Sequence, residues 1–284
     1  MYRTIVFAHA NSFPASTYRR LFDGWRAAGY TVHAIDRIGH DPRFPVTTDW
    51  PLLVEQLRHT MEQEVRTPAF LVGHSLGGYL SMMLASRHPQ WAQGVVVMDS
   101  PLLSGWKAAG IGLAKHLGTM QRVMPSQISA QRTHEWPSLQ AVQAHFHAKP
   151  KFAAFHPDIL ADYVDTGTEA APAATPGGQA IRRLRFSREV ETAIYNTMPH
   201  RLLRDFRRRP PRCPMAFIGG TRSAELKAVG LQGTRQLFGQ AMSWIEGSHL
   251  YPFEQPQRTE AEVLQWLAHF ASPDTAPSPA RPRP

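Results

Sequence analysis

A serine stands between two glycines in Gly73-His74-Ser75-Leu76-Gly77, directly after the apolar run Ala69–Val72 and before a helix-like segment, Tyr79–Arg87. That order predicts a sharp strand-to-helix turn with Ser75 at its apex. The glycines have a steric purpose, because a Cβ beside so tight a bend would collide with the backbone. The bend lifts the Ser75 hydroxyl above the sheet and puts a helix N-terminus beneath it, where free N–H groups can hold an anion. A hydroxyl is a weak nucleophile near neutral pH and needs a base to take its proton during attack. Imidazole fits, since its pKa lies near the working pH. Of the 14 histidines, His249 is placed best. It follows the last strand-like run, on the rim where Ser75 also lies, and ligands of open α/β sheets bind at that rim. A carboxylate on the other ring nitrogen would fix its tautomer. The bland alternative is a serine used only to make a crowded bend. It does not account for the strand, the glycines and the downstream histidine together.

The elements that must hold these groups alternate. Ile5–Ala8, Tyr30–Asp36, Pro68–Val72 and Gly94–Met98 read as strands, and Ala15–Ala28, Trp50–Val65 and Leu76–His88 as helices. In Trp50–Val65, Leu53, Leu57 and Met61 recur at helical spacing, Asp49 is the expected cap and Pro51 falls in the first turn. Such alternation predicts a parallel sheet covered on both faces. It stops between Pro101 and Pro210, where the chain is helical in parts but irregular. It resumes with the strand Pro214–Ile218, a helix Leu226–Gly239, the strand Ala241–Ile245 and an amphipathic helix Thr259–Phe270. Residues 1–100 and 211–272 are therefore expected to form the core, with 101–210 inserted. Gly167–Ala180 is of low complexity and is expected to be a mobile loop, and the Pro-rich tail 273–284 to be disordered.

Composition bounds the function class. A chain of 284 residues, 43% hydrophobic, can build one substantial core. No apolar run is long enough to span a bilayer, and no charged leader with an apolar stretch and cleavage site opens the chain, so a cytoplasmic location is expected. The one cysteine, Cys213, cannot form an internal disulfide and reads as an inert core thiol. Net charge is +9, and the surplus sits in the middle: residues 101–210 carry 15 Lys and Arg against 8 Asp and Glu, leaving 16 against 14 elsewhere. No nucleic-acid module is recognisable, so no nucleic-acid partner is expected. A solvated basic surface is the plain reading, and a preference for an anionic small-molecule substrate the sharper one. Arg182, Arg183 and Arg185 are the candidates to meet such an anion, while Arg207-Arg208-Arg209 reads as a solvated connection. No His/Cys/Asp/Glu cluster has metal-ligand spacing and no further Gly-rich phosphate loop precedes a helix, so neither metal nor cofactor is expected.

Three ordered motifs give the chain a resemblance to the α/β-hydrolases over nearly its whole length. His9-Ala10-Asn11-Ser12-Phe13-Pro14 is similar to the oxyanion loop after an early central strand, Gly73–Gly77 to the nucleophile elbow, and Gly247-Ser248-His249 with Pro252, Glu254 and Pro256 to the histidine loop. The resemblance implies that the insertion 101–210 is a largely helical lid. The family usually opens with two further strands that are missing here, which leaves an expected six-stranded, all-parallel sheet. It also usually carries the acid as Asp shortly after the strand Pro214–Ile218. Here Gly220–Glu225 holds no Asp. Two acids remain open: Asp99, at the end of the preceding strand, and Glu225.

The expected chemistry is that of a cofactor-independent serine hydrolase cleaving a carboxylic ester or related acyl bond through an acyl-enzyme. Ser75 attacks, His249 moves the proton, Asp99 or Glu225 orients it, and the backbone N–H groups of Asn11 and Leu76 receive the oxyanion. His9 reads as a loop brace, His74 as a residue lining the site without reacting, and Glu246 as a surface residue. Trp106, Trp136, Phe155 and Tyr195 would either shape an apolar pocket or form the lid's own core. Two alternatives stay open: hydrolysis of a carbon–carbon bond in a ring-fission product, and a slow-turnover ligand receptor on the same fold. Halide cleavage is disfavoured, because relatives that do it carry Asp where Ser75 stands.

Overall fold

The computed structural model describes residues 2–122, 124–172 and 180–272. Its main sheet comprises β1 (Thr4–Ala8), β2 (Thr31–Ala34), β3 (Ala69–His74) and β4 (Ala92–Met98), and, after the insertion, β8 (Met215–Gly220) and β9 (Met242–Ile245). The strand order is β2-β1-β3-β4-β8-β9 and every pairing is parallel. This is the six-stranded, all-parallel sheet expected.

Period-two alternation explains why both faces are covered. Ile5, Phe7, Phe70, Val72, Val96 and Met98 pack on one face against Leu21 and Trp25 of α1 (Arg19–Ala27) and Val263 and Leu267 of the C-terminal helix. Their neighbours Val6, Ala8, Leu71, Val95 and Val97 pack on the other, against α2 (Pro51–Thr60) and α3 (Leu76–Arg87). Burying one such aliphatic or aromatic side chain contributes about 1.5–3 kcal/mol. Helix α3 has no polar face: eleven of its twelve residues are buried, which fixes the position of the turn that precedes it.

Between β4 and β8 lie the helices α4 (Gly105–His116), α5 (Ser126–Gln131), α6 (Leu139–His147), α7 (Pro150–Ala153), α8 (Pro157–Thr166), α9 (Arg188–Asn196) and α10 (Leu202–Arg208). They are joined by a small antiparallel sheet, β5 (Glu135–Trp136), β7 (Ile181–Leu184) and β6 (Thr168–Ala171), in the order β5-β7-β6. Residues 168–171 are therefore strand, not loop. Of Thr-Glu-Ala-Ala only Thr168 is of a type that marks a strand. Residues 173–179 of the predicted loop and the tail 273–284 lie outside the described residues. The insertion is stitched to the core beside the sheet rim. Asn11 Nδ2 donates to the Glu191 carbonyl (3.1 Å), the His156 N–H donates to the Phe253 carbonyl (2.7 Å), and Phe13 packs on Phe152, Phe155 and Tyr163.

After β8 come α11 (Ala224–Val229) and α12 (Gln232–Phe238), then α13 (Tyr251–Glu254) and α14 (Pro256–Ala271) beyond β9. The expected single helix 226–239 is broken because Gly230 adopts φ 83°, outside the helical region. The Asp49 cap is also corrected. Asp49 and Trp50 both have positive φ (63° and 58°), α2 receives no side-chain cap, and the Asp49 carboxylate instead accepts from Lys115 Nζ at 2.6 Å.

Candidate active site

The turn between β3 and α3 is strained where the sequence predicts. Ser75 has φ 53° and ψ −114°, a conformation that costs on the order of 1–3 kcal/mol. The surroundings impose it. The Ser75 N–H donates to the Met98 carbonyl (2.9 Å), and the Ser75 carbonyl accepts from Gly78 N–H (3.0 Å) and from the Ser100 hydroxyl (2.7 Å). A Cβ on Gly77 would overlap the Ala8 carbonyl of β1, and one on Gly73 would overlap the Gly77 carbonyl. Both glycines are thus required by close backbone approach. Gly77 N–H also donates to the His9 carbonyl (3.1 Å), so the turn is tied to the end of β1 as well as to β4.

Asp99 lies one strand over, at the end of β4, and is fully buried. Its carboxylate accepts from Gly220 N–H (2.9 Å), from the Ser223 hydroxyl (2.6 Å) and from His249 Nδ1 (2.6 Å). Ser223 serves twice, since its oxygen also accepts the Leu226 N–H and caps α11 (3.1 Å). Glu225, in the first turn of that helix, comes within 3.8 Å of the same His249 nitrogen, with a side chain 48% exposed. The two carboxylates left open by the sequence therefore both approach His249, on unequal terms. Asp99 is closer, buried and saturated with donors. Glu225 is farther and faces solvent.

His249 itself is held from two sides. Its Nδ1–H donates to Asp99, so in the neutral imidazole Nε2 is the nitrogen with a free lone pair. Its carbonyl accepts from His74 Nε2 at 2.9 Å, and the two imidazoles lie 5.1 Å apart, centroid to centroid. His74 is the residue before Ser75, so this bond brings the histidine loop against the serine turn. With Nε2 donating, His74 Nδ1 must accept, and it accepts from the Tyr18 hydroxyl (2.8 Å). The same hydroxyl accepts from the Ala10 N–H (3.2 Å). One buried chain of bonds, Ala10 to Tyr18 to His74 to His249, thus joins the loop after β1, the serine turn and the loop after β9. His74 does more than line the site: it is fully buried and binds the two loops together. Burial, and then the neighbouring His249, push its pKa well below that of a free imidazole, so it remains neutral. Tyr18 carries no motif that could have revealed its part, and Ser223 was legible only as a generic helix cap.

The loop after β1 turns at Asn11 and Ser12, closed by Phe13 N–H to the Ala10 carbonyl (3.2 Å), with Ser12 at φ 77°. Among the described residues no hydrogen bond uses the backbone N–H of Asn11 or that of Leu76, the first residue of α3, whose position in the helix leaves it without an internal acceptor. His9 braces this loop. It is buried, bonds the Ala10 carbonyl through Nδ1 (2.8 Å) and accepts the Ile38 N–H at Nε2 (2.7 Å), and burial lowers its pKa to about 4.

The other candidates stand outside this set of bonds. Arg182 donates to Thr168 and to the Asp165 carbonyl, Arg183 pairs with Glu169, and Arg185 pairs with Asp36 (2.8 Å), so all three are spent on protein partners. Glu246 is a surface residue paired with Arg222 (2.7 Å). Trp136 and Phe155 are buried with Phe146 and Phe152, Tyr195 lies beside Asn11, and Trp106 is neither core nor pocket, at 80% exposure. The Cys213 thiol is pushed up to about 12 by burial, as an inert thiol would be. Among the described residues, one cluster has three metal-capable groups within reach of one another, Asp99, Glu225 and His249. Two of the three, Asp99 and His249, are bonded to each other there. No helix of the described residues is long and apolar enough to cross a membrane.

Comparisons with known proteins agree with this architecture. Among solved structures the chain is similar to E-2-(acetamidomethylene)succinate hydrolase (TM-score 0.70, 19% identity, 94% of this chain and 92% of that one). It is also similar to a thioesterase domain from the curacin biosynthetic pathway (0.68, 17%, 93% and 91%). A third is the enol-lactonase of Burkholderia xenovorans LB400 (0.57, 17%, 94% and 92%). At such identities the likeness shows the fold. No curated protein matches the sequence. The profile of the alpha/beta hydrolase family matches residues 5–262. With that match spanning both ends of the sheet and every strand that carries the site, the chain belongs to the alpha/beta hydrolase family.

Proposed function

We propose that the chain is a serine hydrolase that cleaves a carboxylic ester or a related acyl bond. In this reading Ser75 Oγ attacks the carbonyl carbon while His249 Nε2 takes its proton, and the Asp99 carboxylate stabilises the imidazolium through Nδ1–H. The oxyanion is received by the free N–H groups of Asn11 and Leu76, donors that need no reorganisation during the reaction. His249 then passes its proton to the leaving group, which departs and leaves an acyl-serine. A water molecule, deprotonated by the same imidazole, attacks that ester and restores Ser75. The reaction needs no metal or cofactor in this scheme. The segment 101–210 is read as a cap over the rim, supported by its contacts at Asn11, Phe13 and Phe253.

The observation that carries the reading is the 2.6 Å bond between a fully buried carboxylate and His249 Nδ1, beside a serine held at positive φ. A carboxylate-held imidazole next to a strained serine turn is the pairing that a base and its nucleophile require, and this supports the reading. Enol-lactone, thioester and ester substrates all fit the scheme, and the similar structures named above include a thioesterase domain and an enol-lactonase. The test is labelling by a fluorophosphonate, followed by intact mass. One adduct is expected on the native chain and none on Ser75→Ala. An adduct that persists in Ser75→Ala removes Ser75 from the mechanism.

A further inference from the structure

Helix α4 lies almost wholly at the surface. Of its twelve residues only Ala114 is buried, although the sequence Gly-Trp-Lys-Ala-Ala-Gly-Ile-Gly-Leu-Ala-Lys-His is largely apolar. Trp106, Leu113 and Leu117 follow at i, i+7 and i+11, which 3.6 residues per turn brings onto one narrow stripe. They are 80%, 59% and 62% exposed, and Ile128 of α5 is 74% exposed. These four, all between residues 106 and 128, are two-thirds of the six large hydrophobic side chains that stand exposed among the described residues.

The charge around the stripe is mostly basic, with Asp49 paired to Lys115 of α4 and Asp205 the one acid of α10. From Ser100 to His134 the chain contains no carboxylate. An open groove of about 550 Å³ runs between α4 and α10, with Leu113 and His116 on one wall and Arg201, Arg204 and Arg207 on the other, and no acidic residue lines it. Arg207 donates to Gln236 (2.6 Å), while Arg201 and Arg204 have no ion-pair partner among the described residues. The Lys107 ammonium lies 5.7 Å from the centre of the Trp106 ring.

We propose that α4 and the arginine groove beside it dock the protein on an anionic lipid bilayer. A bilayer supplies two layers at fixed depth, acyl chains for the Trp106–Leu113–Leu117 stripe and phosphate headgroups for Arg201 and Arg204. Tryptophan is the side chain best suited to the boundary between them. A folded partner would need carboxylates and an apolar slot in that same relation. A second copy of this chain would set one arginine groove against another or against α4, without an acid in either. The inference is independent of the reaction assigned to Ser75.

The test is sedimentation of the full chain with phosphatidylcholine vesicles, with and without phosphatidylglycerol, read together with tryptophan emission. Binding is expected only with phosphatidylglycerol, with a blue shift, and weakened about tenfold or more in molar salt. The double variant Trp106→Ser/Leu113→Ser should lose both signals, and Arg201→Gln/Arg204→Gln should lose the dependence on phosphatidylglycerol. Both pairs are at the surface, and unchanged fluorophosphonate labelling and melting temperature would show that they fold. No association with either vesicle, or binding that survives both double variants, overturns the proposal. A dimer in sedimentation velocity that Leu113→Ser dissolves, without vesicle binding, would overturn it in favour of self-association.

Discussion

The sheet rim and helix α4 belong to one chain and are organised in opposite ways. On the rim, Asp99 is fully buried, three donors meet its two oxygens, and the His74–Tyr18 chain fastens the loops that carry Ser75, His249 and Asn11. On α4, apolar side chains face outward and only one residue is buried. Buried polar groups must be paired and so dictate a single geometry. Exposed apolar groups dictate nothing until a partner covers them. The contrast separates a region built to hold atoms in place from one built to meet something else.

That contrast can be broken most forcefully at the acid. Asp99→Asn should lower kcat on an activated ester by about 10⁴, because the amide favours the wrong tautomer of His249. Glu225→Gln should lower it less than about tenfold, since its carboxylate is more distant and solvent-facing. Equal losses in the two variants would show that the acid has been misassigned. Core and surface leucines give the next contrast. Leu80→Ala, on the fully buried α3, should cost about 2–5 kcal/mol in urea unfolding. Leu113→Ser on α4 should stay within about 0.5 kcal/mol, and a large loss there would mean that α4 is core after all.

Acid sharpens the comparison further. His9 is held neutral with a pKa near 4, against about 6.5 when unfolded. Between those values the unfolded chain binds the extra proton, so stability falls as pH drops below about 6.5, by about 2 kcal/mol at pH 5 from this residue alone. His74, shifted in the same direction, adds to the loss. Denaturation midpoints at pH 7.5 and pH 5 measure it, and a midpoint that does not move would contradict the buried neutral imidazoles. A further effect is expected at Tyr18. Tyr18→Phe removes the donor to His74 Nδ1 and should cost about 1–3 kcal/mol of stability, with kcat reduced through the loosened His249 loop. An unchanged kcat in a destabilised protein would confine Tyr18 to a structural part.

Much of this was readable in the chain itself. Gly73 and Gly77 announce the turn at Ser75 because no other residue survives such close backbone approach, and the period-two strands at 5–8, 69–72 and 94–98 require a sheet covered on both faces. Those are local or steric constraints, and local sequence carries them. The choice between Asp99 and Glu225 was not readable, because it depends on which carboxylate a separate loop, 150 residues along, brings within 2.6 Å. Nor could the sequence tell that His74 and Tyr18 bond each other, that 168–171 pairs as a strand, or that Trp106 faces out. Hydrogen-bond partners and solvent exposure belong to pairs of distant segments. Composition and spacing describe one segment at a time, so only the folded chain could decide them.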